Sequence, residues 1–136
     1  GTRVREGAGP AMNVVDSSAW IEYFTGGPNA KFFEPPILNQ ADLVVPTMVL
    51  LEVYKHIRRH QGRDEALKAV AGMKQGEVQD LDERLALYAA EIGVEYGLPL
   101  ADSVILATAR IHEATLWTQD SDFEGMDGVR FKRKKS

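Results

Sequence analysis

Asn13–Phe24 reads NVVDSSAWIEYF, three residues of strand character followed at once by an acid, two serines and an amphipathic run. Asn13 to Val15 open a short strand. Ser17 or Ser18 is placed to cap a helix carrying Trp20, Ile21 and Phe24, until Gly26, Gly27 and Pro28 stop it in an ordinary turn. A strand that gives way to a helix within two residues begins a β-α unit, and the same alternation recurs along the chain. A second helical stretch starts at Asn29 and is expected to break at Pro35 and Pro36. Leu43, Val44 and Val45 form a second buried strand, after which Pro46 and Thr47 open a helix through Arg59 to about Gly62. Asp64 to Lys74 continue as another helix, Val78 to Leu81 supply a third strand, and Asp82 caps a helix from Glu83 to about Tyr96 that Gly97 ends. Pro99 starts a further helix with Val104, Ile105, Thr108 and Ile111 on its apolar side, ending near Ala114. Strands at Thr115 to Thr118 and Gly128 to Phe131 complete an α/β pattern built on a parallel sheet.

The 136 residues, 44% of them hydrophobic, fit one domain able to bury a core without covalent staples. There is no cysteine, which excludes disulfides, thiolate zinc sites and a cysteine nucleophile, and fits a reducing cytoplasm. No apolar run approaches the ~20 residues that cross a bilayer, so no membrane partner is expected. Residues 1–11 (GTRVREGAGPA) lack the apolar middle of a signal peptide and read as an expression-vector remnant ahead of Met12. Residues 12–131 make the domain, and 132–136 a basic tail expected to be solvated and disordered. The formal net charge of -4 conceals an asymmetry. Arg3, Arg5 and Glu6 give the remnant +1, and Lys132, Arg133, Lys134 and Lys135 give the tail +4, which leaves the body at -9. So acidic a body repels nucleic acid unless cations bridge the two.

Four acids stand where apolar segments end: Asp16, Glu52 in TMVLLEVYKHI, Asp102 in LPLADSVILATAR, and Asp120 in TLWTQDSDF. Taken singly they have ordinary explanations. Asp16 is a possible helix N-cap, Asp102 suits a first helical turn, Asp120 with Asp122 suits a turn, and Glu52 suits the wet stripe of its helix. Taken together they converge, because Asp16 and Asp120 follow strands and lie at the carboxyl edge where open α/β sheets bind ligands, while Glu52 and Asp102 begin helices facing that edge. Carboxylates gathered there would raise one another's pKa unless a cation neutralised them, and hard oxygen ligands select magnesium or manganese over zinc. Such sites serve phosphoryl chemistry by activating water and stabilising a leaving oxygen.

At these positions the chain resembles the PIN-domain ribonucleases, and among them the toxin component of VapBC-type toxin–antitoxin pairs. The likeness runs from Met12 to Phe131 and rests on VVDSSAWIEYF, VVPTMVLLEVYK, PLADSVILATA and LWTQDSDF in that order. It implies a PIN-like three-layer sandwich, with a central parallel five-stranded sheet in the order 3-2-1-4-5 and helices on both faces. Asp16, Glu52, Asp102 and Asp120 become the catalytic, metal-binding acids, with Asp122 a supporting ligand and Ser17 and Thr118 behind them. The activity implied is magnesium- or manganese-dependent endoribonuclease cleavage of single-stranded RNA, with a homodimeric state and a cognate antitoxin partner.

Other readings stay open. His56 and His60 share one helix face at i and i+4, but no acid completes an H-E-x-x-H arrangement. Lys55, Arg58, Arg59 and Arg63 could steer phosphates or form a solvated face. Trp20, Tyr23 and Phe24 could stack a base, though their spacing points first to packing. Two rivals to the enzyme are a non-catalytic binding module of the same fold and a receiver-type signalling domain. The latter would need an acidic pair after the first strand and a phosphorylatable Asp after the third, where only Asp80 and Asp82 stand.

Overall fold

A computed structural model describes residues 11–135; the reading of residues 1–11 as a vector remnant falls, but for Ala11, outside the described residues. Strand β1 (Asn13–Val15) leads straight into helix α1 (Ser17–Phe24), and the residue that caps the helix is Asp16 rather than either serine. Asp16 is extended (φ -77°, ψ 172°) and its Oδ1 accepts from the Ala19 amide at 3.1 Å. A cap needs an extended residue with an acceptor that reaches the third amide on, and the carboxylate meets both conditions.

Helix α2 (Ala30–Leu38) runs through Pro35 and Pro36 instead of breaking at them. The prolines remove two helical donors, but Phe33, Pro36 and Ile37 are buried on one side, and that burial offsets the missing bonds. Strand β2 (Leu43–Pro46) is followed by α3 (Thr47–Gln61) and α4 (Arg63–Met73), which are separated only by Gly62 at φ 95°. Strand β3 is Glu77–Gln79, earlier and shorter than expected. Its partner β2 ends at Pro46, which pairs with Gln79, so Asp80 and Leu81 have no ladder to join. Helix α5 (Glu83–Tyr96) is capped by Asp82 and closed by left-handed Gly97, as expected. Helix α6 (Leu100–Ile111), β4 (Thr115–Thr118) and β5 (Val129–Phe131) follow.

All strand pairs are parallel, and the sheet order is β3-β2-β1-β4-β5. That order is the expected 3-2-1-4-5 and excludes a receiver domain, whose sheet runs 2-1-3-4-5. Right-handed crossovers put α1 to α4 on one face and α5 and α6 on the other. Covered on both sides, the central strands are apolar throughout: Val14, Val15, Val44, Val45 and Leu116 are each fully buried. Trp20 is buried with them and stacks on Phe24 at 5.5 Å, so the aromatic residues of α1 pack against the core rather than stand free.

Candidate active site

Strands β1 and β4 lie side by side with Val15 opposite Trp117, and the Asp16 amide donates to the Trp117 carbonyl at 3.0 Å. The next residues on the two strands, Asp16 and Thr118, therefore emerge level with each other. The fully buried Thr118 hydroxyl donates to Oδ2 of Asp16 and accepts from the Asp120 amide at 2.9 Å. One hydroxyl thus joins the first strand end to the fourth. Ser18 donates to the other oxygen of Asp16 at 2.7 Å. Asp120 caps the short 3₁₀ turn Ser121–Phe123 by accepting from the Asp122 amide at 2.9 Å.

The remaining acids come from helices. Glu52, in the second turn of α3, accepts from the Ser17 hydroxyl at 2.5 Å, so Ser17 bridges α1 and α3. Asp102 occupies the first turn of α6. Asp16, Glu52, Asp102 and Asp120 line one cleft of about 310 Å³, together with Ser17, Ser18, His56 and the apolar Ile21 and Ile105. Asp102, Asp120 and Asp122 form the tightest group, each offering a carboxylate oxygen within 4.8 Å of the others. Asp16 and Glu52 share the cleft without joining that group. All five sequence-predicted acids thus meet at one edge of the sheet, and Ser17 and Thr118 donate hydrogen bonds to two of their carboxylates.

The electrostatics are those of crowded acids. Burial pushes the Asp16 carboxyl up to about 6, against the opposing effect of the Thr118, Ser18 and Ala19 hydrogen bonds, and Asp120 pushes it further up. Asp102 is pushed up to about 8, first by burial and then by the surrounding carboxyls of Asp122, Asp120 and Asp16. The ion pairs among the described residues, Lys68–Glu65 and Arg133–Glu124, involve none of these acids. Hard carboxylate oxygens, oriented by hydroxyls and lacking a cationic side chain, are a donor set that fits a divalent metal ion.

The PIN domain model matches residues 14–129, nearly the whole of this fold and all five acids. The chain belongs to the PIN-domain family. Solved structures with the same fold include a toxin–antitoxin complex from Klebsiella pneumoniae, at 24% identity and TM-score 0.73, over 87% of this chain and 95% of that one. A sarcin–ricin-loop-cleaving toxin from Mycobacterium tuberculosis is similar at 18% identity and TM-score 0.71, over 85% and 95%. DNA-bound VapBC from Salmonella typhimurium is similar at 18% identity and TM-score 0.69, over 91% and 98%. No curated protein matches the chain by sequence.

Sequence reasoning missed several parts of this PIN domain's site. His56 lines the acidic cleft rather than joining His60 as a ligand pair; the two rings stack at 4.3 Å and His60 Nδ1 bonds the His56 carbonyl. Its imidazole pKa is lowered by burial and by the charges of His60, Lys134 and Arg59. Lys55, Arg58, Arg59 and Arg63 are all exposed, in keeping with a solvated face. Behind Asp120 lies a buried polar group that no spacing announced. Glu22 accepts from the Asn29 amide at 2.6 Å, and Asn29 Nδ2 donates to Gln119 Oε1 at 3.0 Å. Gly27 is part of the same knot, since a Cβ there would meet the Glu22 carboxylate at 2.4 Å. The basic tail, expected to be solvated and disordered, is exposed but anchored as far as Arg133, because the backbone of Lys132 and Arg133 finds partners on Thr118 and Asn29.

Proposed function

We propose that this PIN domain is a metal-dependent endoribonuclease that hydrolyses phosphodiester bonds in single-stranded RNA, and the toxin of a toxin–antitoxin pair acting in the cytoplasm. The observation that carries the reading is the gathering of Asp102, Asp120 and Asp122 within 4.8 Å, in a cleft shared with Asp16 and Glu52 and free of cationic ion pairs. Asp16, Glu52, Asp102 and Asp120 hold magnesium or manganese, with Asp122 in support. When bound, such an ion supplies water activation and stabilisation of the leaving oxygen. The chain's own groups supply the orientation. Thr118 and Ser18 hold the two oxygens of Asp16, Ser17 holds Glu52, and Ile21 and Ile105 form an apolar wall beside the reacting atoms.

The toxin assignment is supported by similarity to toxin–antitoxin structures over nearly their whole length. An antitoxin segment, with an Arg reaching the carboxylates, would occupy the same cleft. A homodimer is supported by the apolar face of α5 and α6, where Val94 is 85% exposed and Leu100 78%.

Asp16→Asn and Asp102→Asn are expected to keep the fold by circular dichroism and to abolish manganese-dependent cleavage of a fluorescent single-stranded RNA. Undiminished cleavage by both purified variants would refute the reading. Metal binding without cleavage by the unmodified protein would favour the non-catalytic binding module instead.

A further inference from the structure

The acidic cleft does not end at the carboxylates. A second cleft of about 440 Å³ adjoins it, with Ser18 and Asp120 in the lining of both, and its far wall is the chain's own C-terminal segment at Phe131, Arg133 and Lys134. That segment is held in place along its backbone. The Lys132 amide donates to the Thr118 carbonyl at 3.0 Å, and the Arg133 carbonyl accepts from Asn29 Nδ2 at 3.0 Å. Asn29 is only 2% exposed and belongs to the buried Glu22–Gln119 group, so the anchor is part of the interior. One guanidinium nitrogen of Arg133, Nη2, donates to both carboxylate oxygens of Glu124 at 3.0 and 3.2 Å, which pairs its charge.

Lys134 and Lys135 are left exposed, and neither forms an ion pair among the described residues. Anchoring therefore fixes the backbone at Lys132 and Arg133, and of the two exposed lysines that follow, Lys134 lines the cleft that adjoins the carboxylates. The body from Met12 to Phe131 carries -9, so a polyanion needs a local positive patch to approach the carboxylates, and Lys134 stands in the wall of the adjoining cleft.

We propose that Lys132–Lys135 is a docked phosphate clamp, in which Lys134 and Lys135 grip backbone phosphates of single-stranded RNA while the adjoining nucleotide lies in the acidic cleft. The choice of RNA rests on the ribonuclease reading above. A clamp of this kind contacts phosphate and sugar rather than base edges, so it adds affinity and register without sequence preference. Its position also separates two tasks: the carboxylates act on one phosphodiester, and the lysines hold a neighbouring stretch of the same strand. Because the contact is made in ground state and transition state alike, its removal raises KM and leaves kcat in place.

The test uses the full chain carrying Asp16→Asn to prevent turnover, and a 5′-fluorescein 12-mer of mixed single-stranded RNA read by anisotropy. Adding Lys134→Ala and Lys135→Ala is expected to weaken binding roughly tenfold at low salt. It is also expected to flatten the dependence of log K on log salt by about 1.4, the loss of two single-strand phosphate contacts. A charge-matched control, Lys68→Ala on α4 with Lys74→Ala just after it, is expected to change neither quantity appreciably. Unchanged affinity and slope in the tail variant, or no RNA binding by the Asp16→Asn chain, would overturn the clamp. Equal or greater loss of binding to a poly-glutamate peptide would also overturn it, by assigning the segment to an acidic protein partner.

Cleavage by the protein with its native Asp16 keeps the two readings apart. No cleavage, with RNA binding still dependent on the tail, would sink the ribonuclease and leave the clamp. Cleavage with a KM indifferent to Lys134 and Lys135 would do the reverse.

Discussion

Thr118 shows at the scale of one residue how this site is assembled. In sequence it is a β-branched residue at the end of a strand, a type that needs no further explanation there. In the fold its hydroxyl is buried between a carboxylate and an amide and serves both. Thr118→Val keeps the shape and removes both partners, leaving the Asp120 amide and one oxygen of Asp16 unsatisfied. The expected cost is about 1–3 kcal/mol of stability, measured by urea unfolding, since buried polar groups without partners carry that penalty. The lost hydrogen bond had favoured the ionised carboxylate, so the Asp16 pKa should rise further and carry the acid limb of cleavage to higher pH. An unshifted acid limb, with stability reduced, would mean that Thr118 is only a packing residue. Asp122, which in sequence could merely close a turn, approaches Asp102 and Asp120 with its own carboxylate while its amide donates to the capping carboxylate of Asp120, so its backbone and side chain have separate tasks.

Among the elements, α5 and α6 carry a feature that a folded monomer does not explain. They join β3 to β4 across the sheet and cover it, yet Leu87, Val94 and Leu100 point outward, each more than half exposed. A groove lined by Ala90, Gly93, Val94, Leu98 and Leu100 lies between them. Contiguous apolar surface of this kind marks an interface, and the homodimer proposed above would cover it. Val94→Lys with Leu100→Lys should therefore shift the protein from dimer to monomer in analytical ultracentrifugation without lowering helical content. A dimer that survives both charges would place the interface on another face. The helices also show where local rules stopped being sufficient. Gly97 and Asp82 bounded α5 as their chemistry requires, but Pro35 and Pro36 did not end α2, because packing of Phe33, Pro36 and Ile37 outweighed two lost hydrogen bonds.

At the scale of the whole molecule, stability and charge are tied together by the acidic edge. Asp16 and Asp102 have folded pKa values of about 6 and about 8, both above the 3.8 of an unperturbed Asp. The folded state therefore holds protons that the unfolded state has released between about pH 4 and pH 8. Stability from these groups is complete below that window and is lost as pH rises through it. The protein freed of metal should melt at lower temperature at pH 8 than at pH 5. A divalent ion competes with those protons, so millimolar manganese should raise the melting temperature more at pH 8 than at pH 5, and differential scanning fluorimetry measures both. A manganese effect as large at pH 5 as at pH 8 would contradict protonation of these carboxyls in the metal-free fold.

The α/β class and the acids at segment ends were legible in the chain because each is written locally, whereas the strand order came only from the family likeness. Apolar runs, caps and breakers act over a few residues, and an acid abutting an apolar strand is conspicuous without coordinates. What only the tertiary structure decided involves residues distant in sequence. These are the Thr118 bridge to Asp16, the Ser17 bond to Glu52, His56 in the cleft, and the Glu22–Asn29–Gln119 group that holds the C-terminal segment in place. No periodicity encodes such pairs. The Thr118 bridge exists because parallel pairing of β1 with β4 brings residues about a hundred positions apart into register, the Ser17 bond because α1 packs beside α3, and burial leaves each polar atom only the partners that such packing provides.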